Sequence, residues 1–240
     1  MGADIYNFSS AYRGDGKSVV VRMITEKMMN SSARILIIDN SRDSGFRKMY
    51  DFEYIAGIDE LRPFIKGEML TFSQLKEIIV EIENNVHYIA NSEVEEIQGE
   101  DMKYLLNLVK DRYSHIFIES SGHLKVEEID VKNFFITRPC EKVMKQSKKI
   151  CNKYDVVILN KYEEETGMLP KKSEIMTFPY DKEVIFMENG YNYNFSDKTS
   201  STLNEITEDI LGFTALLENK ASEKLSIKDR IGMLFGKKSQ

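Results

Sequence analysis

Nowhere in the 240 residues do apolar side chains run on for anything near twenty positions, so no segment is built to span a bilayer as a helix. Cysteine is scarce: Cys140 and Cys151 lie eleven positions apart, without metal-site spacing or the density of a disulfide scaffold, and reduced cytosolic thiols are expected. The three histidines, His87, His115 and His123, follow no metal-binding spacing and read as exposed or hydrogen-bonded side chains. The first residues lack the basic, apolar and small-residue stages of an export signal. Positive charge is short as well: 33 Lys and Arg against 39 Asp and Glu leave a net −6, which argues against nonspecific nucleic-acid binding. With no internal repeat and 42% hydrophobic content, the chain can bury one sizeable core.

What the sequence does have is a stretch around which the rest is organised, Phe8-Ser-Ser-Ala-Tyr-Arg-Gly-Asp-Gly-Lys-Ser-Val19. An apolar strand, Ile5 to Phe8, precedes it, and an amphipathic helix, Ser18 to Met29, follows; strand, turn and helix are the setting of a phosphate-binding loop. Gly14 and Gly16 allow backbone N–H groups of Arg13, Asp15 and Val19 to turn toward phosphate oxygens, Lys17 meets the outer phosphates, and the Ser18 hydroxyl holds magnesium. The usual pattern asks for glycine six residues before the lysine, where this chain has Ala11. A solvated glycine-rich turn with a salt-bridging lysine is the plainer reading of the same letters.

Beyond the loop, strand-like and helix-like runs alternate. Arg34 to Asp39, Val86 to Ala90, His115 to Glu119, Asn133 to Thr137, Asp155 to Leu159 and Ile175 to Phe178 read as strands. Gly57 to Ile65, Ser73 to Ile82, Glu100 to Arg112, Glu141 to Asn152 and Leu203 to Leu217 read as helices. This alternation predicts an α/β three-layer sandwich with a mostly parallel twisted sheet, whose ligands bind at the carboxyl ends of the strands.

Three carboxylates sit at or just past such ends: Asp39, Asp43 and Glu119. Magnesium prefers hard oxygen ligands and keeps several waters, so one or two carboxylates beside a triphosphate suffice. Asp39 and Glu119 are candidate metal residues with Ser18, while Asp39 and Asp43 are candidates for orienting the attacking water. Acids also collect at strand ends because loops are wet. Asn160 ends a strand with an amide able to donate to and accept from a purine edge, and Pro179, Tyr180 and Asp181 offer a turn that could border the base. Asn160 to Glu163 has a likeness to the guanine-reading Asn-Lys-x-Asp pattern, with Glu in the last place.

From Lys224 onward, five basic side chains stand against Asp229 alone, a net +4 that leaves the body at −10. Ile227, Ile231, Leu234 and Phe235 fall on one helical face, bordered by Lys228, Arg230 and Lys237. An interfacial helix on an anionic membrane is made this way, and docking of the same face on the body or on a partner protein is the alternative. The expected organisation is a nucleotide-binding domain over 1–219 followed by a linker and amphipathic helix over 220–240.

The order of these parts resembles the MinD/ParA family of deviant P-loop ATPases, and the weaker motifs are similar to its TadZ/CpaE branch, which helps position pilus machinery. The resemblance covers nearly the whole chain, with Ser10 to Ser18 as the loop, Ile35 to Asp43 as the first switch and Ile116 to Gly122 as the second. Ile136 to Pro139 is similar to the family's fifth-strand segment, and Asn160 with Pro179, Tyr180 and Asp181 to its adenine-binding segments. It implies seven or eight strands, ATP or ADP bound with magnesium, and a homodimer formed across two nucleotides. It also implies a cytoplasmic protein, peripheral on the inner face of the cell membrane, with a further protein partner that stimulates turnover. The family's signature lysine falls on Tyr12, with Arg13 next door as a candidate cation; arginine's planar fork differs from an ammonium point charge. Ser41 takes the place of a second switch aspartate, although Asp39 and Asp43 keep the Asp-x-x-x-Asp spacing of the nitrogenase iron protein. Glu119-Ser-Ser-Gly122 replaces Asp-x-Pro-x-Gly. These departures imply nucleotide binding with slow hydrolysis, and leave open a degenerate scaffold working through protein contacts and a guanine-nucleotide switch.

Overall fold

The computed structural model describes residues 2–29, 31–41, 45–50, 56–83, 85–90, 95–162, 175–188 and 193–210. Asp43, Glu163 and the whole tail beyond 210, with Ile227, Lys228, Ile231, Leu234 and Phe235, lie outside the described residues.

Elements follow in the order β1 (Asp4–Ser10), α1 (Lys17–Met28), β2 (Ile35–Asp39), α2 (Gly45–Met49), a 3-10 turn (Ile58–Leu61), α3 (Arg62–Lys66) and α4 (Phe72–Lys76). They continue with β3 (Val80–Glu83), β4 (Val86–Ile89), α5 (Gly99–Val109), β5 (His115–Ser120), β6 (Lys132–Thr137), α6 (Glu141–Cys151), β7 (Val156–Tyr162), β8 (Ile175–Pro179), α7 (Glu183–Glu188) and α8 (Asp197–Glu205). A π-helical turn, Ile206–Ile210, ends the described chain. The strands form one sheet in the order β3-β4-β2-β5-β1-β6-β7-β8, parallel throughout except for β3 against β4. This is the expected α/β three-layer sandwich, with eight strands.

Why the strands read as unbroken apolar runs is visible in β2. Ile35 and Ile37 join the core under α1, while Leu36 and Ile38 join the core under α5, so both faces of the strand are dry. Phe8, Phe117 and Phe134 from β1, β5 and β6 interlock at ring separations of 4.9 and 5.5 Å on the α1 side. Truncating one such buried side chain to alanine costs about 2–5 kcal/mol.

Ser73 to Ile82 is a correction. The apolar spacing of Leu75, Ile78, Ile79 and Ile82 fits one helical face, yet α4 ends at Lys76 and Val80–Glu83 is an antiparallel edge strand. Asn85 adopts φ 67°, completing a reversal that returns the chain into β4, and Glu81 and Glu83 point to solvent on alternate positions. Acidic side chains along an exposed edge discourage further strand pairing. The helix expected from Leu203 instead begins at Asp197, where the Ser196 hydroxyl accepts from the Thr199 N–H at 3.3 Å. Gly57 to Ile65 is divided into a 3-10 turn and α3, and α7 was not expected from sequence. Among the described residues, no helix is long and apolar enough to cross a membrane.

β1 is the central strand of a switch in direction: the chain leaves it toward β2 on one side and later reaches β6 on the other. Crevices at such points are where open α/β sheets bind ligands. The loop between β1 and α1 opens there.

Candidate functional site

The loop's shape comes from two glycines and from neighbours that hold it by its carbonyls. Gly14 and Gly16 have φ of 86° and 87°, a region open to glycine at little cost. Space gives Gly16 a second reason, since a Cβ there would lie 2.1 Å from Nδ2 of Asn160. Asn160, buried near the end of β7, donates that Nδ2 to the Asp15 carbonyl at 2.7 Å. Arg138, just past β6, donates to the Gly14 carbonyl. Because the peptide unit is planar and trans, drawing the Asp15 carbonyl toward β7 turns the Gly16 N–H the other way. The Asp15 carboxylate accepts from the Tyr12 N–H at 3.2 Å. Burial pushes this carboxyl up, against hydrogen bonds from Tyr12, Thr137 and Arg138 and the charge of Arg138.

α1 starts at Lys17, so the first N–H groups of a twelve-residue helix face the loop without intrahelical acceptors. Lys17 Nζ donates to the Ser120 carbonyl at 2.9 Å and stands 3.9 Å from Oε2 of Glu119. The Ser18 hydroxyl donates to the same Oε2 at 2.7 Å. Glu119 is fully buried, and among the described residues its Oε1 has no hydrogen-bond partner. Burial is the largest influence on its carboxyl; the Lys17 charge opposes it, Asp39 adds to it and the Ser18 bond opposes it, leaving a pKa raised to about 7.

Asp39 is the register neighbour of Glu119 across β2 and β5 and is likewise fully buried. One oxygen accepts from the Ser41 N–H at 3.2 Å and its hydroxyl at 2.8 Å, the other from the Tyr88 hydroxyl at 3.1 Å. A cleft of about 960 Å³ is lined among others by Arg13, Lys17, Ser18, Ser41, Arg138 and Lys161, with Asp39 and Glu119 buried behind Ser41 and Ser18. That volume is of the size that takes a cofactor.

The tertiary structure therefore brings Arg13 to Val19, Asp39 and Glu119 to one place, with Asn160 behind the loop as a buttress. Pro179, Tyr180 and Asp181 stand one strand further out, at the end of β8, and are not among the described residues lining the cleft. Asp181 accepts from Glu183 and Ser196 N–H groups and from the Ser196 and Thr199 hydroxyls, tying α7 and α8 to the sheet. Burial raises its carboxyl, but these bonds outweigh burial and hold it below the usual value.

Three residues were missed in sequence. Arg138 and Tyr88 are distant in sequence from what they hold. Asn7, fully buried in β1, accepts from the Ser120 hydroxyl at 2.7 Å and donates to the Gly122 carbonyl at 2.9 Å, fixing the segment whose carbonyl Lys17 contacts. A polar residue inside the apolar run Ile5 to Phe8 was the available signal.

Among the described residues no three His, Cys, Asp or Glu side chains are grouped to hold a metal by themselves. The donor set fits magnesium shared with phosphates: a hydroxyl and a buried carboxylate with one orphaned oxygen, hard ligands in small number. Gly16, the helix start and the cations Arg13, Lys17, Arg138 and Lys161 fit a polyphosphate by the same test, with Asp15, Glu95 and Glu96 also on the lining.

No family model matches the chain, and no curated protein matches its sequence. Solved structures do match. A putative plasmid partition protein of Borrelia burgdorferi bound to AMPPNP aligns with TM-score 0.64 at 14% identity over 88% of this chain and 100% of its own. The septum site-determining protein MinD of Pyrococcus horikoshii, complexed with Mg-ADP, aligns at 0.62 and 14% over 87% and 96%. A ParA family ATPase of Chlorobium tepidum aligns at 0.60 and 16% over 83% and 96%. At such identities the likeness concerns architecture, and the chain has the fold of the MinD/ParA-type P-loop ATPases.

Proposed function

We propose that this protein binds ATP with magnesium in the cleft above β1 and hydrolyses it slowly, dimerises across the nucleotide, and serves as a membrane-associated localisation factor of the TadZ/CpaE type. The observation that carries the reading is the joint placement of the glycine loop, Lys17, Ser18 and Glu119 at the carboxyl edge of the sheet. Lys17 and the α1 N-terminus receive the outer phosphates; Ser18, Glu119 and Asp39 supply oxygens to a magnesium ion, which neutralises phosphate charge when bound. Asp39 and Asp43 orient water, Arg13 contributes a cation toward the partner subunit, and Pro179 with the exposed Tyr180 borders a base that reaches beyond the cleft, with Asn160 supporting the loop from behind and Asp181 holding the turn. Solved relatives of the same fold with AMPPNP and Mg-ADP support the ligand class.

Calorimetric titration of the full chain with Mg-ATP tests this directly. Saturable binding is expected, weakened about 50-fold by Lys17→Ala through loss of a charged hydrogen bond, and no heat at millimolar nucleotide overturns it. Unlabelled GTP competing as well as ATP would transfer the site to a guanine-nucleotide switch. For the tail, sedimentation with anionic liposomes should show ATP-dependent pelleting of the full chain that is lost in a version ending at Lys220; equal pelleting of both removes the membrane role.

A second reading is supported by the way Lys17 and Ser18 are already satisfied by Ser120 and Glu119. A nucleotide-holding scaffold without turnover would keep the titration heat and release no phosphate above background.

A further inference from the structure

Tyr88 lies on β4, two strands from β5, and has no place in the phosphate-loop motif. Its side chain is nevertheless fully buried and performs two tasks at once. The hydroxyl donates to Asp39 at 3.1 Å, and the ring stacks on Phe46 of α2 with centroids 5.7 Å apart and an interplanar angle of 22°. Phe46 is also fully buried and stacks in turn on Tyr50 at 5.2 Å. One residue before Phe46, Gly45 sits so close to α1 that a Cβ on it would meet the Ser18 hydroxyl at 2.4 Å. The residue that fixes Asp39 is therefore packed against the helix whose first residue covers Ser18.

We propose that Tyr88 is a positioning residue linking the divalent-cation end of the site to α2: its hydroxyl aims Asp39, its ring seats Phe46, and a cation gathered by Ser18 is thereby coupled to how α2 sits. The proposal rests on the reading of the cleft as a magnesium-nucleotide site. Asp39 has acceptors for more bonds than Ser41 supplies, and a buried carboxylate oxygen deprived of its donor reorients or loses affinity for its place. Tyr88 touches neither cation nor phosphate in this role; it acts through Asp39 and Phe46.

Tyr88→Phe removes the hydroxyl and keeps the ring, so ATP affinity is measured by calorimetry on the full chain with magnesium and again with a chelator in its place. The factor by which magnesium improves affinity is expected to drop about tenfold, one charged hydrogen bond's worth, with chelated-state affinity within about twofold of wild type. A merely structural tyrosine would shift both conditions alike, and an unchanged magnesium factor overturns the proposal. In an Asp39→Asn background the same change should add less than about twofold, because the route through the carboxylate is already cut; full additivity overturns it. Phe46→Leu leaves the Asp39 bond in place and should lower the magnesium factor by a smaller amount, and no change there removes α2 from the coupling. Wild-type protein that binds no ATP at all overturns the nucleotide reading, and this one with it, whereas binding with unaltered magnesium dependence in Tyr88→Phe defeats the positioning role alone.

Discussion

Glu119, near the end of β5, and Asp181, two residues past β8, are both buried acids at the carboxyl edge of the sheet, yet their surroundings differ in kind. Asp181 is enclosed by four donors from the starts of α7 and α8, and its carboxyl is held below the ordinary value despite burial. Among the described residues Glu119 has one hydroxyl donor, a lysine at the limit of an ion pair and one oxygen with no partner, and its carboxyl is raised to about 7. An acid whose bonding is complete fastens the fold, while one buried with capacity to spare is the candidate for holding the cation proposed above. Position at the strand end does not separate the two; the supply of donors does.

The sharpest way to break this contrast is at the loop that leads into Lys17 and Ser18, the partners of Glu119 at the start of α1. Gly16→Ala places a methyl group against Asn160 and at a φ alanine resists, so about 2–3 kcal/mol should be lost in urea unfolding, together with nucleotide binding. A loss under about 0.5 kcal/mol would mean that the loop relaxes freely, and Asn160 is then no buttress.

A smaller effect, of opposite sign for the two acids, is expected in nucleotide-free, magnesium-free protein as pH is varied. An unfolded glutamate loses its proton near 4.5, whereas folded Glu119 keeps it to about 7, so the native state binds the extra proton across that window. Stability therefore falls as pH rises from about 4.5 to 7, and Glu119→Gln should abolish that fall, on the order of 1–3 kcal/mol. Asp181 runs the other way: its contribution is present above its ordinary value of 3.8 and disappears as pH falls through the lower folded value. Asp181→Asn should therefore lower stability at neutral pH and flatten the acid limb, by about 1–2 kcal/mol after allowance for partial exposure. Identical pH profiles for both variants would dissolve the comparison.

The strands were legible because burial on both faces leaves no alternation to misread: Ile35 to Asp39 and His115 to Glu119 are apolar runs that can only be interior. Where one face is wet the letters mislead, as at Val80–Glu83, whose spacing suits a helix until pairing with β4 decides otherwise. In the site, Gly14, Gly16, Lys17 and Ser18 announce themselves because their roles are local, set by φ, by reach and by the start of α1. Asn7, Tyr88 and Arg138 do not, since each acts on a partner brought near only by strand order.

Sequence alone determined that this chain makes a two-faced, mostly parallel sheet with a glycine loop between its first strand and first helix, because apolar periodicity and glycine's conformational range are properties of neighbouring residues. Only the tertiary structure decided that Asp39 and Glu119 meet beside Ser18, that Asn160 leans on Gly16, and that Tyr88 joins Asp39 to α2. Those meetings depend on which strands lie side by side and in what register, quantities fixed by packing the whole sheet at once and written in no short stretch of the chain.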